Sequence, residues 1–128
     1  MAKILVVDDE RSVRSLLAEL VKRMGHEAVK AENGKEAWEI FQNESIDLSI
    51  VDINMPEMDG ITYLEEVKKS DPYAVVIMMT GYPSADTIIK TVEDDGFTYV
   101  AKPLEINHMM DIVERGLDFR ESQMKGKK

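Results

Sequence analysis

The sequence predicts an α/β domain in which a five-stranded parallel sheet is covered by helices on both faces. Three observations point there. Short aliphatic runs, beginning with Ile4-Leu5-Val6-Val7, alternate five times with segments whose apolar residues recur at helical spacing. The runs are continuous rather than interleaved with polar residues, as strands buried on both faces are. The chain has 128 residues, 44% of them apolar and 32% charged, with no cysteine. That suits one domain with its own core and excludes a disulfide framework, a thiolate metal site and a cysteine nucleophile.

The elements follow in order. The first strand stops at Asp8-Asp9. Val13, Leu16, Leu17, Leu20, Val21 and Met24 then mark the apolar face of a helix from Ser12 to Met24, and Gly25 is its C-terminal stop. Glu27 to Ala31 reads as the second strand, Asn33-Gly34 as a turn, and Ala37, Trp38, Ile40 and Phe41 as the second helix. Asp47 to Val51 is the third strand. Met55-Pro56 and Asp59-Gly60 punctuate the next loop, and Ile61, Leu64 and Val67 face a third helix that ends before Asp71-Pro72. Ala74 to Met79 is the fourth strand, Ile88, Ile89 and Val92 belong to a fourth helix, and Thr98 to Ala101 form the fifth strand. Ile106, Met109, Met110, Val113 and Leu117 mark the fifth helix. The domain is expected over residues 1–120, with 121–128 a charged, flexible tail or truncated linker. Right-handed crossovers are expected throughout.

Sixteen basic against twenty-five acidic residues give a net charge of −9. This opposes the counterion release that drives nucleic-acid binding, so direct nucleic-acid contact is not expected. No apolar stretch is long enough to span a bilayer, and Met1 to Val7 does not read as a signal peptide. A cytoplasmic domain without a membrane partner is the expectation. His26 and His108 have no partners at metal-ligand spacing and read as surface histidines, while the nine methionines read as core filling.

Four of the five predicted strands end in residues able to do chemistry: Asp8 and Asp9, Asp52, Thr80, and Lys102. In open α/β sheets the functional crevice lies outside the carboxyl ends of the strands, and a flavodoxin-like order 2-1-3-4-5 puts the first and third strands side by side. The three carboxylates then meet. They repel unless a cation offsets them, and magnesium, a hard ion that takes oxygen ligands and keeps some waters, fits such a site beside a phosphate. Lys102 adds a fixed positive charge and Thr80 a hydroxyl donor for phosphoryl oxygens. Each residue alone has a plain structural reading: Asp9 as a helix N-cap, Asp52 as a turn former, Thr80-Gly81 as loop chemistry, Lys102-Pro103 as a solvated strand end. Their joint occurrence at strand ends is what structure alone explains poorly.

At these residues the chain resembles the receiver domain of bacterial two-component response regulators, over residues 3 to 119. Val6-Val7-Asp8-Asp9-Glu10 is similar to the family's acidic opening, and Val51-Asp52-Ile53-Asn54-Met55-Pro56-Glu57-Met58-Asp59-Gly60 to its phosphorylation loop. Met79-Thr80-Gly81-Tyr82 and Tyr99-Val100-Ala101-Lys102-Pro103-Leu104 resemble its switch segments. Asp95 and Phe97 depart from the family pattern, away from the phosphorylation loop. The resemblance implies a CheY-like fold with five flanking helices and Asp52 as phosphoacceptor. It implies magnesium, for which manganese can substitute, on Asp9, Asp52 and the backbone carbonyl of Asn54, with Asp8 holding it through water. Thr80 binds the phosphoryl group, Lys102 neutralises it, and Tyr99 swings inward as Thr80 moves. The Lys102-Pro103 peptide is cis, and Asn54 and Tyr82 tune phosphoryl lifetime.

The function so implied is a switch. Asp52 takes a phosphoryl group from a sensor histidine kinase or histidine phosphotransfer protein. The face made by the fourth helix, fifth strand and fifth helix then changes toward an output domain, a target protein or a second copy of the chain. Such a domain catalyses only its own phosphorylation and slow autodephosphorylation. Two alternatives belong to other classes. A metal-dependent aspartyl phosphohydrolase of the haloacid-dehalogenase type needs a second Asp two residues after the nucleophile, where this chain has Asn54. A phosphorylation-independent docking scaffold has no use for the full set of Asp8, Asp9, Asp52, Thr80 and Lys102.

Overall fold

A computed structural model describes residues 1–53, 57–81, 97–101 and 105–126. Five parallel strands form one sheet: β1 (Lys3–Val7), β2 (Glu27–Ala31), β3 (Leu48–Asp52), β4 (Val75–Thr80) and β5 (Phe97–Ala101), in the order β2-β1-β3-β4-β5. The predicted order is therefore the observed one. After β1 the chain turns to one side of the sheet, and from β3 onward it builds the other, so the direction of winding reverses between β1 and β3.

Strand pleating divides the core into two layers. Leu5 and Val7 of β1 point to one face, with Val51 and Ile53, Val76 and Met78, under α2 (Gly34–Asn43) and α3 (Gly60–Ser70). Ile4 and Val6 point to the other, with Leu48, Ile50, Val75, Ile77 and Met79, under α1 (Arg11–Arg23) and a C-terminal helix (Ile106–Lys125). Burial on both faces explains the unbroken aliphatic runs. Within the first layer the Tyr63 hydroxyl shares a 2.8 Å hydrogen bond with Ser49, so this wholly buried phenol has its polar atom satisfied.

Local sequence sets the helix ends. The Asn33 side chain caps α2 by accepting from the Glu36 N–H, and Asp59 caps α3 through the Thr62 N–H, each at 2.8 Å. Glu105 opens the C-terminal helix by accepting from the Asn107 and His108 N–H groups. After α1, Gly25 has φ +92°, the left-handed conformation that stops a helix there.

Several expectations change. Asn33-Gly34 is the capped start of α2 rather than a separate turn, because the Asn side chain supplies the missing acceptor. The helix expected to stop near residue 120 continues to Lys125, so 121–125 are helical; Glu121 and Lys125 pair across one turn at 2.9 Å. Leu16 is 46% exposed although it belongs to the expected apolar face, because α1 is rotated to bury Ala18 on the opposite flank of Leu17. His26 is not a surface histidine: Nδ1 accepts the Ala2 N–H at 3.1 Å, and Nε2 lies 3.2 Å from Glu114. His108 is exposed as expected. The fourth helix expected around Ile88, Ile89 and Val92 lies outside the described residues.

Candidate functional site

The register of the sheet builds the site. Val7 of β1 pairs with Val51 of β3, so the residues that follow, Asp8 and Asp52, emerge side by side at the carboxyl edge. Asp52 pairs with Met79 of β4, and Thr80 is the next residue along. Thr80 in turn pairs with Ala101 of β5, the residue before Lys102. Four strands thus deliver their last residues to one edge, at the point where the winding reverses.

Asp8, Asp9 and Asp52 each place a carboxylate oxygen within 4.8 Å of the others. Asp8 and Asp52 are buried, as is Thr80, while Asp9 is exposed. The set is therefore a half-enclosed acidic cup open on the Asp9 side. Three like charges in such a cup need a cation, and hard oxygen donors suit a divalent one. The cluster could hold a metal ion.

Hydrogen bonds hold the Asp8 carboxylate and the backbone that follows Asp52. The Asp8 side chain accepts the Glu10 N–H at 2.8 Å, and the Asp8 N–H donates to the Ala31 carbonyl at 3.3 Å. Asp9 is not the N-cap of α1. Glu10 occupies that position without a side-chain cap. Beyond Asp52, the Ile53 N–H donates to the Met79 carbonyl at 2.9 Å, and the Gly60 N–H returns to the Ile53 carbonyl at 3.1 Å. A Cβ on Gly60 would stand 2.9 Å from both the Asp52 carbonyl oxygen and Ile53 Cα, so a side chain there would push the strand end that carries Asp52.

Asn54, Tyr82, Lys102 and Pro103 lie outside the described residues; Tyr99 falls in β5, opposite Met78 in register. Arg14 was not singled out from the sequence. Its guanidinium donates to the Asp8 carbonyl at 2.8 Å and is only 12% exposed. A signal existed: Arg11 and Arg14 sit in the first turn of α1, which has no acidic residue, against the preference set by the helix dipole. A basic residue in that position has another task.

Removing one of the three charges should stabilise the metal-free protein. Asp9→Asn is expected to raise the melting temperature by about 2–4 °C in chelator and to shrink the further rise on adding magnesium. Thermal melts with and without magnesium check both parts. A variant that melts lower than the parent in chelator would mean that the carboxylates do not repel as placed.

Comparison with known proteins agrees with this geometry. The family model of the response regulator receiver domain matches residues 4–114. The chain is 37% identical over 118 residues to the sporulation initiation phosphotransferase F of Bacillus subtilis, covering 92% of this chain and 95% of that protein. It is 36% identical over 118 residues to the regulatory protein AtoC of Escherichia coli, of which it spans only 26% while 92% of this chain is covered. A solved response regulator receiver domain from Clostridium thermocellum superimposes with a TM-score of 0.89 at 30% identity, covering 96% of this chain and 99% of that one. Among the described residues no helix is long and apolar enough to cross a membrane. With its winding reversal, its acidic cup and its buried strand-end threonine, the chain belongs to the family of response regulator receiver domains, phosphorylation-dependent switches of two-component signalling.

Proposed function

We propose that Asp52 is the phosphoacceptor of this switch. The observation that carries the reading is the convergence of Asp8, Asp9 and Asp52 within 4.8 Å at the carboxyl edge. An Asp52 carboxylate oxygen attacks the phosphorus of a phosphohistidine on a sensor kinase or phosphotransfer protein. The phosphorus–nitrogen bond breaks, the imidazole leaves and takes up a proton, and the product is an aspartyl acylphosphate. Asp9, Asp52 and the Asn54 carbonyl would hold magnesium, with Asp8 supporting it from behind. A bound magnesium ion supplies positive charge against the phosphoryl oxygens. Thr80 donates its hydroxyl to a phosphoryl oxygen and Lys102 offsets the added charge. Tyr99 follows Thr80 inward, altering the face formed by the predicted fourth helix, β5 and the C-terminal helix. An output domain, a target protein or a second copy reads that face in the cytoplasm.

The test is intact-mass analysis after incubation with acetyl phosphate and magnesium. One phosphoryl group should be added, none in chelator, and a small phosphomonoester should show no multiple turnover. Sustained turnover of the monoester would replace this reading with a phosphohydrolase.

Signal lifetime should depend on Asn54 and Tyr82. By the resemblance to receiver domains these two positions flank the phosphoryl group, where a short amide would leave room for an attacking water and hydrogen-bond it, while a bulky phenol would cover its approach. Tyr82→Ala should speed phosphoryl loss and Asn54→Met should slow it, each by about threefold to tenfold. Decay after donor removal, at constant magnesium, measures both. Two wild-type rates would mean that water access is controlled elsewhere.

A further inference from the structure

The loop that leaves Asp52 does not stand free. Its described part, Glu57 to Asp59, is followed by one glycine that packs on the end of β3 and is faced at Met58 by another. The first, Gly60, lies against the Asp52 carbonyl and Ile53 Cα. The second is Gly34, the first residue of α2. A Cβ built there would come 2.7 Å from the Met58 carbonyl carbon and 2.9 Å from Met58 Cβ, and closer still to the Met58 carbonyl oxygen. These are mostly backbone atoms, so no rotamer change relieves the clash. Gly34 has no positive φ. It is glycine for proximity. Glu57 has φ +74°, a left-handed conformation that a non-glycine residue keeps only where its surroundings impose it.

The first turn of α2 is itself anchored. Asn33 caps it, and Glu36 reaches back to accept the Glu32 N–H at 2.8 Å. Glu32 lies 3.6 Å from Arg14, whose guanidinium also holds the Asp8 carbonyl at 2.8 Å. A continuous chain of contacts therefore runs from the β1–α1 turn that carries Asp8 and Asp9, through Arg14 and the capped start of α2, to the backbone of the loop that follows Asp52. The link touches the Asp8 backbone at one end and Met58, in the loop after Asp52, at the other.

We propose that Gly34 and Arg14 are positioning residues that set, through the first turn of α2, the spacing between the Asp8-Asp9 turn and the loop after Asp52. Neither touches a reacting atom. Their contribution is to hold the oxygen ligands at a spacing that a divalent ion accepts, since sites of this kind lose function when the groups behind them move by an ångström. The inference rests on the proposed magnesium-dependent phosphorylation of Asp52.

The experiment uses the full chain with magnesium as the probe, followed by calorimetry at a temperature well below every melting midpoint, and then by acetyl phosphate at saturating magnesium. Gly34→Ala is expected to weaken magnesium binding at least about fivefold and to slow phosphoryl uptake about tenfold. Gly116→Ala is the matched control: its Cβ would press on Leu48 and Val75, near the amino ends of β3 and β4, so it perturbs packing away from the site. It should bind magnesium within about twofold of the parent. A folded Gly34→Ala protein that also binds within twofold overturns the proposal. Should Gly34→Ala not fold, Arg14→Met cuts the same link without adding a clash, and the sign of its effect decides. Loss of a nearby cation by charge alone would tighten magnesium binding. Loss of positioning should weaken it at least about threefold, and unchanged or tighter binding overturns the proposal. If the parent protein itself neither binds magnesium nor takes up phosphoryl, the failure lies in the proposed function, and this inference falls with it.

Discussion

Asp52→Asn is expected to lower phosphoryl uptake from acetyl phosphate by at least about a thousandfold while leaving the fold intact, because it removes the nucleophile and almost nothing else. The amide has nearly the shape of the carboxylate, so the pocket at the end of β3, where Asp52 is buried, stays filled. It also removes one of three mutually repelling charges, so the metal-free variant should melt no lower than the parent. An amide oxygen is a poor nucleophile, and Asp8 and Asp9 are held by β1 and the turn after it rather than by the end of β3. Intact mass and peptide mapping of the adduct, with melts run in parallel, measure the two halves separately. Continued uptake at Asp8 or Asp9 would reassign the acceptor within the same cup. Uptake at the parental rate on a residue outside it would remove the site altogether.

The second large effect concerns the scaffold. Ile50 is wholly buried at the centre of the sheet, between Val6 of β1 and Ile77 of β4, two residues before Asp52. Ile50→Ala deletes buried methyl and methylene groups where helices cover the sheet and the surroundings cannot collapse freely. The expected loss is about 3–4 kcal/mol, a large part of the stability of an ordinary domain, and a melting temperature lower by about 10 °C or more. Leu16→Ala is the contrast. Leu16 is 46% exposed on α1, so the same kind of truncation should cost less than about 1 kcal/mol. Denaturant titrations of the two variants check the ranking. Equal losses would mean that α1 packs on the sheet along a different stripe.

That contrast shows where reading a linear pattern stops working. Leu16 and Leu17 are neighbours in sequence and equally apolar, and both fit a helical repeat, but only Leu17 is buried. Periodicity locates a stripe to within the breadth of one side chain. The rotation of the helix about its axis is decided by what it packs against. His26 illustrates the same limit: its partners, Ala2 and Glu114, are 24 and 88 residues away, a separation no local pattern records. The extension of the last helix to Lys125 was missed for a different reason, since a polar segment carries no apolar periodicity and is held by capping and by i,i+4 pairs such as Glu121 with Lys125.

The sequence established the class of fold and the identity of the acidic residues, and its resemblance to receiver domains implied the order of the strands. Short aliphatic runs alternating with helical repeats read as strands of a sheet covered on both faces, and four of the five runs end in a charged or hydroxylated residue at the carboxyl edge. The tertiary structure alone decided that Asp8, Asp9 and Asp52 stand within 4.8 Å of one another, because that distance follows from the in-register pairing of Val7 with Val51. It alone decided that Arg14 holds the Asp8 carbonyl and that Gly34 must lack a Cβ. The reason is physical: a chain specifies its elements through local propensity and periodicity, but a site is made of contacts between elements, and those distances exist only once the layers have packed.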